Sequence, residues 1–117
     1  MQYMLLINED ERIYEGEDGA ARMEATLAGH MALIEALNAE GIPFSGNRLK
    51  GADTATTLVY ENGAEPVLRD GAFAETHEEL GGYYLIDVPD LDAAVAWARR
   101  IPVPGSGAVE VRPVWED

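Results

Sequence analysis

The sequence predicts an α+β fold of the ferredoxin-like, split βαβ type with a hairpin inserted between its halves. Three observations carry this prediction. Apolar stripes at helical spacing occur twice, over residues 20–40 and 91–100. Short β-branched and aromatic runs stand before and after each stripe. An Asn62-Gly63 pair separates two further such runs midway along the chain. The order is therefore β-α-β, a hairpin, then β-α-β. The chain has 117 residues, enough for one core, and reads as a single domain over residues 1–117.

Residues 3–7 read as a short buried strand, an apolar run bounded by polar residues. Residues 20–40 read as a helix, because Met23, Leu27, Met31, Ile34 and Leu37 recur every three or four positions and Ala is frequent. Gly41 supplies its stop, and Pro43 prevents continuation. Residues 44–49 give the second strand. Thr56-Thr57-Leu58-Val59-Tyr60 gives the third, and residues 66–69 return across the Asn62-Gly63 turn. Residues 82–88 give the next strand, with Tyr83 and Tyr84 on opposite faces. Pro89-Asp90 breaks it and caps a helix whose stripe is Leu91, Ala94, Val95, Ala98 and Ile101. Residues 102–107 form a loop. Val109, Val111 and Val114 belong to a last strand limited by Pro113. One antiparallel sheet carries both helices on one face. Apolar residues alternate onto both sides of residues 83–88, so the second face also needs cover. A homodimer packed sheet against sheet supplies it.

Charge excludes several functions. The chain holds 22 acids against 8 Lys and Arg, a formal charge of −14. Nucleic acid is disfavoured, since phosphate binding needs clustered cations. An anionic membrane surface is disfavoured for the same reason. The absence of cysteine removes disulfides, thiolate zinc sites and cysteine nucleophiles. The apolar start is too short to span a bilayer and lacks a basic signal-peptide segment, so a cytoplasmic address is expected. Residues 8–18 hold Glu9, Asp10, Glu11, Glu15, Glu17 and Asp18. This run reads as a solvated loop before the first helix, whose positive N-terminal end suits negative charge. Its spacing lacks the glycine punctuation of a calcium loop.

Residues 69–89 read Arg-Asp-Gly-Ala-Phe-Ala-Glu-Thr-His-Glu-Glu-Leu-Gly-Gly-Tyr-Tyr-Leu-Ile-Asp-Val-Pro. This stretch resembles the signature of the DGPF-type proteins within the YCII-related family, usually Asp-Gly-Pro-Phe-Ala-Glu-Thr-Lys-Glu. Ala72 stands where that signature has Pro, and His77 where it has Lys. The opening Met-Leu-Leu-Ile, the Asp-Leu-Asp-Ala-Ala helix and the closing Ala-Val-Glu-Val-Arg-Pro-Val are also similar, so the resemblance spans nearly the whole chain. It implies a dimeric α+β barrel and, for some members, a link to extracytoplasmic-function sigma factors. Better-studied YCII-like relatives imply a small-molecule enzyme using a His-Asp pair. One branch removes chloride from chlorinated hydroxyquinones.

His30 is the first chemical candidate. It lies between Leu27 and Ile34 on the helix's apolar side or its margin, where an imidazole can exchange a proton near neutral pH. A hydrogen-bonded histidine at the core edge is the plainer alternative. In the YCII-like relatives the active histidine stands on this helix eleven residues before a Gly, as His30 stands before Gly41. Their aspartate precedes a Pro at the end of the second helix. Here that place is Ile101-Pro102, so their pair is broken. Asp70 is the natural replacement, and a carboxylate on His30 would fix its tautomer and raise its pKa. The plainer reading of Asp70-Gly71, and the one its type favours, is turn chemistry.

Arg48, Phe73 and Tyr83 are the candidate substrate-binding residues, Arg48 as an anion holder. Thr76 with Glu79 fits a capping box and a short helical turn. His30, His77, Asp70 and Glu75 form only a formal metal set, with no helical His-x-x-x-His pair behind it, so neither metal nor cofactor is expected. Gly81-Gly82 and Gly105-Ser106-Gly107 lack the contexts of a phosphate cradle and a nucleophile elbow. Trp97 and Trp115 read as interface packing or ligand stacking. Two functions remain open. One is an enzyme in which His30 moves a proton in an elimination or hydrolysis while Asp70 orients it. The other is a non-catalytic binding or regulatory module tied to a sigma-factor system.

Overall fold

The computed structural model of the chain describes residues 1–73 and 76–116. In chain order these form strand β1 (Gln2–Asp10), helix α1 (Gly19–Ala39), strands β2 (Phe44–Arg48), β3 (Thr56–Val59), β4 (Val67–Asp70) and β5 (Glu78–Asp87), helix α2 (Leu91–Ala98) and strand β6 (Gly107–Pro113). Turns of 3-10 helix occupy Glu11–Tyr14 and Ala52–Thr54. The fold is mixed α+β. Its main sheet has four strands in the order β2-β5-β1-β6, every neighbour antiparallel. Among the described residues, strands β3 and β4 pair only with each other.

Local chemistry sets the ends of these elements. Gly41 takes φ +68, which L side chains rarely adopt. This lets the Ile42 N–H donate to Leu37 O at 2.9 Å and the Gly41 N–H to Asn38 O at 3.1 Å, closing α1 with a Schellman motif. Asp90 caps α2 by accepting from the Ala93 N–H at 2.9 Å. Asn62 and Gly63 take φ 48 and 74, as the sequence expects of a tight turn.

Alternation along β1 and β5 builds the core. Tyr3, Leu5 and Ile7 face the helices beside Tyr84 and Ile86, and meet Leu33 and Leu37 of α1 with Ala94, Trp97 and Ala98 of α2. Leu5, Leu37 and Ile86 are 1% exposed. Burying a side chain of this kind contributes about 1.5–3 kcal/mol. The Cα atoms span 47 × 46 × 18 Å, and the short axis is the depth of one sheet and one helix layer. On the opposite face Met4, Leu6, Tyr83 and Leu85 stay half-buried.

Three expectations change. Residues 8–18 are not one loop: Asn8 to Asp10 extend β1, and a 3-10 turn follows, capped by Asp10 accepting from the Arg12 N–H at 3.0 Å. The capping box at Thr76 does not form. Its hydroxyl donates to Glu78 O at 2.6 Å, and Glu79 lies within β5, because strand pairing with β1 satisfies that backbone. Trp97 is core instead of an interface or ligand contact, because α2 turns it onto the sheet; Trp115 is 90% exposed, a surface position. No helix among the described residues is long and apolar enough to cross a membrane.

Candidate functional site

A cavity of about 480 Å³ lies between α1 and the helix-facing side of the sheet. Its roof is Leu27, His30, Met31 and Ile34, which share one face of α1 by their three- and four-residue spacing. Its floor is low because two helix-facing strand positions lack side chains. Gly46 stands opposite Tyr84, and Gly82 stands between Ile7 and Arg48. A Cβ at Gly46 would fall 2.6 Å from Tyr83 O, and one at Gly82 would fall 3.0 Å from Asn47 O. The neighbouring pairing is irregular: Ile7 pairs with Gly82 and Asn8 with Leu80, leaving Gly81 as a bulge.

Inside the cavity His30 meets Tyr84. Nδ1 of His30 is 2.6 Å from the Tyr84 hydroxyl, and the rings stack with 5.7 Å between centroids. Burial lowers the His30 pKa from its ordinary value, and the positive charge of Arg48 lowers it further. Burial raises the Tyr84 phenol. Both groups are therefore neutral at neutral pH. One arrangement has the Tyr84 O–H donating to Nδ1 while Nε2 carries hydrogen. In the other, Nδ1–H donates to the phenol oxygen, Nε2 is a free base and the phenol O–H is free to donate.

Two charged groups complete the lining. Arg48, at the end of β2, forms no ion pair among the described residues, and its Nη2 donates to Met23 Sδ at 3.1 Å. Glu9 comes from β1. Its Oε2 is 3.3 Å from the Tyr14 hydroxyl, which also stands 3.4 Å from Thr26 Oγ1. Burial raises the Glu9 pKa, Tyr14 opposes this by hydrogen bonding, Glu11 adds to it and Arg48 opposes it.

The structure brings together His30 and Arg48 of the expected set. It does not bring Asp70 to His30. Asp70 ends β4, exposed and opposite Thr56 in the separate hairpin, so the expected rise in the His30 pKa becomes a fall. Gly71 beside it takes φ +95 and donates its N–H to Ala55 O at 2.8 Å, which is turn chemistry. Phe73 is 71% exposed, with the Arg69 guanidinium 5.9 Å from its ring centroid. It borders a second hollow of about 520 Å³ beside Leu49, Lys50 and Leu80, away from His30. Tyr83 borders the first cavity from a position whose side chain belongs to the opposite face of the sheet, where its hydroxyl accepts from Asn47 Nδ2 at 2.9 Å. Ile101, in the place of the relatives' aspartate, is core. His77 is exposed, and Glu75 lies outside the described residues. Among the described residues no three His, Asp or Glu side chains converge on a point that could hold a metal.

Sequence reasoning missed Tyr84 and Glu9. The signal for both was alternation. Tyr84 follows Tyr83 onto the helix side, and the period that buries Tyr3, Leu5 and Ile7 carries Glu9 to the same face.

The model of the YCII-related domain matches residues 1–116. A curated, uncharacterised protein of Rhizobium meliloti (strain 1021) is 45% identical over 69 residues, which cover 57% of this chain and 55% of the relative. The chain thus spans about half the length of the curated relative it matches.

Proposed function

The chain belongs to the YCII-related family, and from that premise we propose that its cavity binds a small organic molecule and exchanges protons with it through His30 and Tyr84. The observation that carries this reading is the 2.6 Å contact between His30 Nδ1 and the Tyr84 hydroxyl inside a largely apolar cavity. A neutral imidazole is the form that accepts a proton, and burial with Arg48 nearby keeps His30 in that form. When Nδ1–H donates to Tyr84, Nε2 takes a proton from the ligand, and the phenol O–H donates to an oxygen developing negative charge. Tyr84 thus takes the orienting role expected of Asp70. The chemistry suits the proton-abstraction step of an elimination or the water activation of a hydrolysis.

The test begins with a ligand-observed NMR screen of small organic acids and enols. Each hit is then incubated with the protein in D₂O. The wild type is expected to introduce deuterium at an acidic C–H, and His30→Gln to abolish it. Ligands that bind without exchange or turnover would move the cavity to a second reading, a non-catalytic binding module coupled to a sigma-factor system. That no carboxylate meets His30 among the described residues favours that second reading.

The strand order β2-β5-β1-β6 supports a ferredoxin-like split βαβ reading of the sheet. Met4, Leu6 and Leu85 on the far face support a second copy packed there, as in a dimeric barrel. Light scattering that finds a monomer at micromolar concentration would remove this part of the proposal.

A further inference from the structure

We infer that Glu9 and Arg48 form a charge-compensating end of the cavity, which admits a small aromatic anion as Glu9 takes up a proton. The inference rests on the cavity reading above and adds its ligand class. Arg48 is an exposed residue at the end of β2 that lines the mouth of a largely apolar hollow, and it forms no ion pair among the described residues. That is an anion site awaiting a partner in a chain of 22 acids. Ile7, Leu27, Ile34 and Phe44 line the rest and suit a flat apolar body. Glu9 lies at the same end. Tyr14 touches its Oε2, and its Oε1 lies over Gly81, 2.9 Å from where a Cβ there would stand. A carboxylate held so near would repel the ligand's anionic group. Protonated, it loses that repulsion and becomes a hydrogen-bond donor.

The charged and titratable groups around Glu9 come from four elements. Glu11 and Tyr14 lie in the adjoining 3-10 turn, Arg48 in β2, Glu79 opposite in β5 and His30 across the cavity on α1. Protonation of His30 also favours an anion in mild acid, so the two contributions must be separated. Glu9→Gln does this. It keeps the Tyr14 contact and removes only the charge.

The probe is benzenesulfonate, ionised throughout, titrated by NMR at about pH 5.5 and about pH 8, either side of the histidine range. The wild type is expected to bind more tightly at the lower pH. At the higher pH, Glu9→Gln is expected to bind about tenfold more tightly than the wild type, as one nearby charge removed in a half-buried site allows. Arg48→Gln is expected to lose binding at both. Calorimetry in two buffers of different ionisation heat should show net proton uptake by the wild type and a smaller uptake by Glu9→Gln, the difference being the proton taken by Glu9. The inference is overturned if Glu9→Gln binds no better than the wild type at the higher pH. It is overturned equally if the wild type ignores the probe or if Arg48→Gln binds it unchanged. Deuterium exchange through His30 reads the acid–base proposal separately, so either can fail alone.

Discussion

The Tyr84 hydroxyl lies 2.6 Å from His30 Nδ1, and the histidine's partner is thus a phenol in place of a carboxylate. A phenol brings no negative charge at neutral pH. Burial and Arg48 therefore decide the charge of the imidazole, and both favour the neutral form. NMR titration should find His30 below the ~6.5 reference value. Arg48→Gln should raise it by removing a repelling cation, and Asp70→Asn should leave it unchanged. A His30 pKa above the reference that falls in Asp70→Asn would restore the carboxylate pair.

The same shift links His30 to stability. Its folded pKa lies below its unfolded one, so the unfolded chain binds more protons in mild acid. The neutral ring's contribution is full above the unfolded pKa and is lost as pH falls through the folded one. His30→Gln should flatten this part of the stability curve. The change should stay below about 1 kcal/mol, because solvent screens a half-exposed group. Denaturant melts from mild acid to neutral pH would measure it.

Glu9 has the opposite sign. Its folded pKa is raised, so its favourable contribution is present below the unfolded pKa and disappears as pH rises through the folded one. Glu9→Gln should stabilise the protein at neutral pH by about 0.5 kcal/mol after allowance for screening, and hardly at all at about pH 4. An equal gain at both pH values would assign the effect to packing.

Helix ends give a further check. Gly41→Ala meets no atom of the described residues within 4 Å, so its penalty is that of φ +68, about 1–2 kcal/mol. Asp90→Ala should cost about 1 kcal/mol through the lost cap on Ala93. Chemical denaturation would read both. An unchanged midpoint for Gly41→Ala would mean the turn relaxes.

In the core, Leu5→Ala should cost about 2–5 kcal/mol, since the residue is 1% exposed between sheet and helices. A loss under 1 kcal/mol would mean that its neighbours collapse into the space.

Most elements were legible because their signals are local. The stripe from Met23 to Leu37, Gly41 and Asp90 act within a few residues, and α1 and α2 form where those signals lie. The place of His30 over the sheet also followed from spacing. Its partner did not. The His30–Tyr84 contact joins residues 54 apart through strand register, which no short pattern reports. Asp70 drew attention through its motif, yet the two-stranded hairpin holds it apart from the cavity. Glu9 was masked by its neighbours: a run of acids reads as solvated although strand alternation turns one of them inward.

The glycine floor constrains how this site could be retuned. Gly46 and Gly82 leave little freedom for side chains, because strand carbonyls occupy the space a Cβ would enter. The lower half of the mould is fixed by the backbone itself. Leu27 and Met31, on the roof of the cavity, are 40% and 58% exposed and so have room to vary. Variants that accept larger or smaller guests should therefore arise on one helical turn, leaving the sheet that holds the charges untouched.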